Sequence, residues 1–241
     1  MSYEGFLLVD KPVGITSFQV IRRLRKLISI AKIGHAGTLD PFASGLLIVG
    51  IGKAFTRRLA SIQSFSKRYI VKAVCGIKTN TGDCFGRLIE KDDGLSKLHS
   101  NQRDLFLKKV SENLPAFLGK QVQIPPLYSA KKKEGVPYYR LARQGKYPDR
   151  LPHSIEIFNL RLLEARWLSF PILELEIQCS KGTYIRTLVE DIAKTLNTVA
   201  YSKNLIRTHI GDFSLKCSVK YDALSPQVIS QHGVCPFQNE P

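Results

Sequence analysis

Gly34-His35-Ala36-Gly37-Thr38-Leu39-Asp40-Pro41-Phe42-Ala43-Ser44-Gly45, followed at once by Leu46-Leu47-Ile48-Val49, sets a single carboxylate on a tight turn ahead of an apolar run. The glycines and proline specify a sharply shaped loop: Gly accepts positive φ and close backbone approach, and Pro41 biases Asp40 away from helix. The apolar run reads as a buried strand, so Asp40 is expected on a loop anchored to rigid core. Asp-Pro begins many ordinary turns. Here no adjacent residue in the sequence neutralises the carboxylate, which marks Asp40 as a candidate reactive group.

Working outward, Thr16 or Ser17 is expected to cap a helix in which Val20, Ile21, Leu24, Leu27 and Ile28 form an apolar stripe, with Arg22, Arg23, Arg25 and Lys26 on the other side. Residues 67–76 and 155–163 read as strands, as does the alternation of Leu173, Leu175 and Ile177 with Glu174, Glu176 and Gln178. Residues 101–118 read as helical, with Pro115 starting or breaking a turn. Ile185, Leu188, Val189, Ile192 and Leu196 form a second stripe opening at Thr183. Strands and helices without strict βαβ alternation predict an α+β fold, and no repeat or low-complexity tract interrupts it.

The chain has 241 residues, enough to bury one main core, with hydrophobic and charged fractions ordinary for a folded protein. No apolar run approaches the roughly 20 residues needed to span a bilayer. The amino terminus lacks the layout of a signal peptide, so the expectation is a cytoplasmic protein with no membrane contact. Cys75, Cys84, Cys179, Cys217 and Cys235 form no Cys-x-x-Cys pair, and the five histidines show no ligand spacing. Neither disulfides nor a metal is expected, and Cys179 reads as core.

Charge is the strongest compositional statement. Lys and Arg number 36 against 20 Asp and Glu, a net of +16, so a polyanion is the natural partner. An anionic membrane would instead call for charge concentrated on one amphipathic helix. Between Lys120 and Arg150, eight basic residues stand against Glu134 and Asp149, with Tyr128, Tyr138, Tyr139 and Tyr147 interleaved. Cations grip phosphates and aromatic faces stack on unpaired bases, which suits looped RNA better than duplex grooves. A solvated basic loop is the plainer alternative.

The Asp40 loop resembles the catalytic loop of the TruB family, the tRNA pseudouridine-55 synthases, and further signatures follow in order. Leu7-Leu8-Val9-Asp10-Lys11-Pro12-Val13-Gly14-Ile15-Thr16-Ser17 resembles the family's amino-terminal motif, Lys67-Arg68-Tyr69 its second, and Thr79-Asn80-Thr81-Gly82-Asp83 with Gly86 its third. Gln123-Ile124-Pro125-Pro126-Leu127-Tyr128-Ser129-Ala130-Lys131 and Cys179-Ser180-Lys181-Gly182-Thr183-Tyr184-Ile185-Arg186 extend the likeness over residues 5 to about 211. The resemblance implies the pseudouridine synthase fold: a mixed, largely antiparallel central sheet flanked by helices. It also implies one catalytic domain over 1–241 and an RNA-clamping insertion at about 123–153. The stretch after Gly211 is too short for the carboxy-terminal RNA-binding domain of many members, so a minimal enzyme is expected.

The implied activity is isomerisation of uridine to pseudouridine at position 55 in the T-loop of tRNA. It requires no cofactor, and the implied partner is the T-arm stem-loop, bound by a monomer with no obligatory protein partner. The target nucleotide must be flipped into a pocket. His35 either fills the vacated place in the stack, as the resemblance implies, or caps the turn. Asp40 must be ionised, and a buried carboxylate stays so only beside a cation; the resemblance pairs it with Arg186. Attack on the base, attack on the sugar carbon and abstraction of the 2′ proton are all open to it, the last being preferred. Tyr69 offers a flat face for uracil and a phenol to relay the proton leaving the base carbon. Tyr184 is expected to hydrogen-bond in the pocket and Leu205 to close its apolar wall. Lys11 supports a loop or contacts phosphate, and Asp83 holds a polar turn or contacts substrate.

A guide-RNA-dependent pseudouridine synthase has a similar loop but needs a further RNA-binding domain and protein partners. A non-catalytic tRNA-binding or folding protein would need neither an ionised Asp40 nor a paired Arg186. A nucleotide-binding phosphate loop fails for want of Gly-x-x-x-x-Gly-Lys-Ser/Thr.

Overall fold

A computed structural model describes residues 3–232; Cys235 and the end of the chain's tail lie outside the described residues. The elements run β1 (Gly5–Lys11), α1 (Ser17–Ile28), β2 (Ile33–His35), β3 (Ser44–Ile51), α2 (Lys53–Ser64) and β4 (Lys67–Cys75). They continue with β5 (Ile77–Thr79), β6 (Leu88–Lys91), α3 (Asp93–Ser96), α4 (Ser100–Asn113), β7 (Gly119–Gln123), β8 (Lys132–Lys133), β9 (Val136–Pro137) and α5 (Tyr138–Arg143). Last come β10 (His153–Trp167), β11 (Pro171–Cys179), α6 (Ile185–Thr195), β12 (Ala200–Ile210), β13 (Phe213–Ser214), β14 (Val219–Lys220) and α7 (Pro226–His232). The chain divides into two compact units, one of Met1–Arg68 with Ile206–Pro241 and one of Tyr69–Leu205, so the cuts fall inside β4 and β12.

In the first unit β3 pairs antiparallel with β1 and β2, while β14 runs parallel to β1 and the end of β12 runs parallel to β3. Alternation along β1 and β3 fills two cores. Leu7, Val9, Leu47 and Val49 pack with Val20, Ile21 and Leu24 of α1, whereas Phe6, Leu8, Leu46 and Ile48 pack with Leu59 and Ile62 of α2. Both faces of the sheet are therefore covered, which is why Leu46 to Val49 reads as an unbroken apolar run. Of the two expected caps of α1, Thr16 is the one that caps it, in a capping box with Gln19, and Ser17 is the first helical residue. After Gly211 the chain folds back onto this unit, burying Val219, Leu224 and Ile229 in the α1 core.

In the second unit the strand order is β12-β4-β11-β10-β7. β11 alternates strictly, burying Leu173, Leu175, Ile177 and Cys179, and pairs antiparallel with β10. The mixed sheet and flanking helices are the α+β fold that the sequence predicts. Of residues 101–118, α4 takes Ser100–Asn113, and Pro115 lies in a single 3-10 turn. The second stripe begins two residues later than expected: α6 starts at Ile185, and the Thr183 hydroxyl before it donates to the Ser180 carbonyl at 3.0 Å.

Pairing of Gln123 with His153 closes the basic segment at its base. Within it β8 and β9 form a hairpin whose two turn residues, Glu134 (φ 52°) and Gly135 (φ 81°), both have the positive φ of a type I′ turn. Lys132, Lys133, Arg140, Arg143, Lys146 and Arg150 are exposed, as are Tyr139 and Tyr147, whereas Tyr138 is buried.

Candidate active site

Asp40 opens a tight turn in the first unit: the Ala43 amide donates to the Asp40 carbonyl at 3.1 Å, with Pro41 at the second position, where its fixed φ suits the turn. The loop is stitched to the start of α1. The Gly14 amide donates to the Pro41 carbonyl at 2.8 Å, and the Leu39 amide donates to the buried Ser17 hydroxyl at 2.9 Å. Leu39, Phe42 and Ala43 are buried around it, while the Asp40 side chain is half-buried.

Two buried cations lie beneath this loop. The Lys11 ammonium donates to the carbonyls of Ala43 (2.6 Å), Pro12 (2.8 Å) and Ile15 (2.9 Å), and the residue is fully buried. Burial pushes its pKa down from 10.5 to about 8, Asp40 acting in the opposite sense and Arg207 reinforcing the fall. Arg207, from β12, donates through Nε to Leu46 O at 2.8 Å and through Nη2 to Gly37 O at 3.1 Å, clasping the loop on both sides of Asp40. His35 is half-buried, and its imidazole is held below its ordinary pKa first by burial and then by Arg207, against a backbone contact at Gly37. The glycines of the motif answer packing as well as φ. A Cβ on Gly34 would meet Leu59 of α2 at 2.9 Å, and one on Gly45 (φ 104°) would strike the backbone of Arg207.

In the second unit Arg186 is buried at the start of α6. It donates through Nη1 to Thr81 O at 2.6 Å and through Nη2 to Tyr128 O at 2.8 Å, with Asp83 Oδ2 3.6 Å from Nη1. Asp83 in turn accepts from the Thr81 hydroxyl (2.7 Å) and the Phe85 amide (3.0 Å). The buried Gln123 amide fixes the helix start. The Tyr184 amide donates to its Oε1 at 2.8 Å, and its Nε2 donates to Tyr184 O at 3.1 Å. The third motif and both later motifs thus meet at one side chain, Arg186. Tyr69 and Leu205 are buried on the neighbouring strands β4 and β12.

The first unit therefore gathers Lys11, His35 and Asp40, and the second gathers Asp83, Tyr184 and Arg186, with Tyr69 and Leu205 in the same unit. For Lys11 and Asp83 the geometry matches one of the two readings that the sequence left open. Lys11 takes the loop-supporting role: its ammonium is buried and donates to three carbonyls. Asp83 holds its own turn, since one carboxylate oxygen takes two donors and the other faces Arg186. The fold also brings Lys11 into the field of Asp40. Sequence reasoning missed Arg207 and the role of Gln123. The signal for Arg207 is its place two residues after buried Leu205, on the inward register of β12, while apolar Ile206 points outward.

Residues 25–185 match the family model described as TruB family pseudouridylate synthase (N terminal domain). A tRNA pseudouridine synthase B of Protochlamydia amoebophila is 39% identical over 88% of this chain and 76% of its own length. One of Chlamydia trachomatis is 42% identical over 89% of this chain and 83% of its own. Among solved structures, an H/ACA RNP bound to a substrate RNA containing 2'-deoxyuridine superposes with a TM-score of 0.61 at 21% identity, over 92% of this chain and 52% of that one. A Cbf5-Nop10-Gar1 complex gives 0.62 at 24%, over 90% and 52%. The chain spans about half the length of those two chains, and the likeness is one of fold.

Proposed function

The chain belongs to the TruB family of pseudouridylate synthases, and from that premise we propose that it isomerises uridine to pseudouridine in tRNA, at position 55 of the T-loop, with Asp40 as the essential carboxylate. The observation that carries this reading is the fixation of Asp40: a half-buried carboxylate on a turn held by Ser17, Lys11 and Arg207 from three sides. Rigid support of this kind keeps a reacting group within the narrow geometry that catalysis requires.

The reaction breaks the bond from the uracil nitrogen to the ribose, turns the base and rejoins it through carbon; the proton lost from that carbon is matched by one taken up at the freed nitrogen. Atoms are conserved and no electrons leave, so the protein's task is to bind, orient and move protons. In this reading Asp40 abstracts the 2′ proton of the sugar and returns it once the carbon bond has formed, and Tyr69 faces the uracil and relays the proton leaving the base carbon. Tyr184 and Leu205 line the pocket, and His35 takes the stacking place of the flipped nucleotide. The exposed cations and tyrosines of residues 123–153 grip the T-arm. The enzyme works in the cytoplasm as a monomer, without a protein partner or cofactor.

The test is incubation with an unmodified tRNA transcript, followed by carbodiimide-dependent primer extension. A single new stop at the T-loop uridine is expected, and it should appear equally with an isolated T-arm stem-loop. No stop with either RNA would overturn the assignment.

A further inference from the structure

Residues 17–68 contain ten Lys and Arg and a single acidic residue, Asp40. The fold concentrates part of this charge beside the motif. A cavity of about 380 Å³ in the first unit is lined by Arg25, Lys32 and Arg57 together with His35 and Gln63, over an apolar floor that includes Leu59. No acidic side chain lines it. Arg25 is held along β2 by donating to the Ile33 carbonyl at 3.3 Å, and Gln63 Nε2 reaches the His35 carbonyl at 3.4 Å. Arg25, Lys32 and Arg57 are exposed, and among the described residues none of them forms an ion pair.

Three cations without acidic partners around a small cavity repel one another unless an anion is brought between them. The apolar floor and the Gln63 amide add what a nucleotide offers besides its phosphate: a hydrophobic face and hydrogen-bonding edges. The cavity also shares His35 with the Asp40 loop, so an RNA strand reaching that loop passes this face. We propose that the groove of Arg25, Lys32 and Arg57 is a subsite for the sugar-phosphate backbone of the nucleotides flanking the target uridine. This assignment rests on the reading of the chain as a tRNA pseudouridine synthase. It places part of the RNA grip on α1 and α2, outside the 123–153 segment.

The test is the salt dependence of binding of a T-arm stem-loop, followed by fluorescence anisotropy. Wild type is compared with the double variant Lys32→Gln/Arg57→Gln, the conservative Lys32→Arg/Arg57→Lys, and Lys109→Gln on the exposed face of α4. Each lost phosphate contact should lower the slope of log K against log salt by about one, so the double variant should lose about two. The conservative variant should restore the slope, and Lys109→Gln should leave it unchanged. An unaltered slope in the double variant overturns the subsite, and so does an equal fall in Lys109→Gln, which would mean diffuse attraction. If wild type makes pseudouridine while the slopes fail this test, only the subsite falls. If wild type makes none, the functional reading falls first.

Discussion

The Lys11 ammonium donates to the carbonyl of Ala43 at 2.6 Å, three residues past Asp40, joining the first motif to the Asp40 loop through a buried charge. Its pKa, about 8 against an ordinary 10.5, fixes the sign of a pH effect. Below about pH 8 both folded and unfolded chains carry the proton, and the burial penalty is fully present. From about pH 8 to 10.5 the unfolded chain holds more protons, so this group's contribution to stability improves as pH rises. Over the same interval the loop loses a positive charge. Turnover should therefore fall with an apparent pKa near 8 while folding does not weaken through this group. Carbon-13 NMR of labelled lysine with urea melts across this range checks both, and a Lys11 titration in the ordinary lysine range would contradict it.

Gly45→Ala should destabilise the first unit far more than Gly14→Ala. Both positions have positive φ, 104° and 91°, but a Cβ on Gly14 meets open space, whereas one on Gly45 strikes the Arg207 backbone. Strain alone costs about 1–2 kcal/mol, and forced overpacking adds about 1–3 kcal/mol. Urea midpoints of the two variants should therefore differ clearly, and equal losses would refute the close approach.

Asp40→Asn preserves the turn, because Asn is as acceptable as Asp at its first position. Turnover should vanish while T-arm binding and the urea midpoint stay near wild type. Loss of binding and stability together would make Asp40 a folding residue. Tritium release from carbon 5 of the target uridine is the activity readout.

His35 is held below its ordinary pKa of 6.5 by burial and by Arg207. As pH falls below 6.5 the unfolded chain binds the proton first, so stability drains away on acidification and is complete above that value. His35→Gln should flatten this part of the stability profile, measured as urea midpoints at neutral and mildly acidic pH. An identical slope in the variant would show that His35 does not titrate there.

Much of the first unit was legible before folding was considered. The stripe of Val20, Ile21, Leu24 and Ile28, the Thr16 cap and the run Leu46 to Val49 are local patterns that their own neighbours decide. Arg207 was not legible, since its partners at Gly37 and Leu46 lie more than 150 residues away. Gln123 reads only as the first residue of a motif until the Tyr184 backbone is placed against it.

The sequence by itself determined which elements form, because capping, periodicity and turn chemistry act over a few residues. Only the tertiary structure decided that Lys11 spends its charge on loop carbonyls, that Asp83 serves its own turn, and that three cations meet beside His35. The reason is that burial and electrostatic field depend on distances in space, which chain separation does not encode.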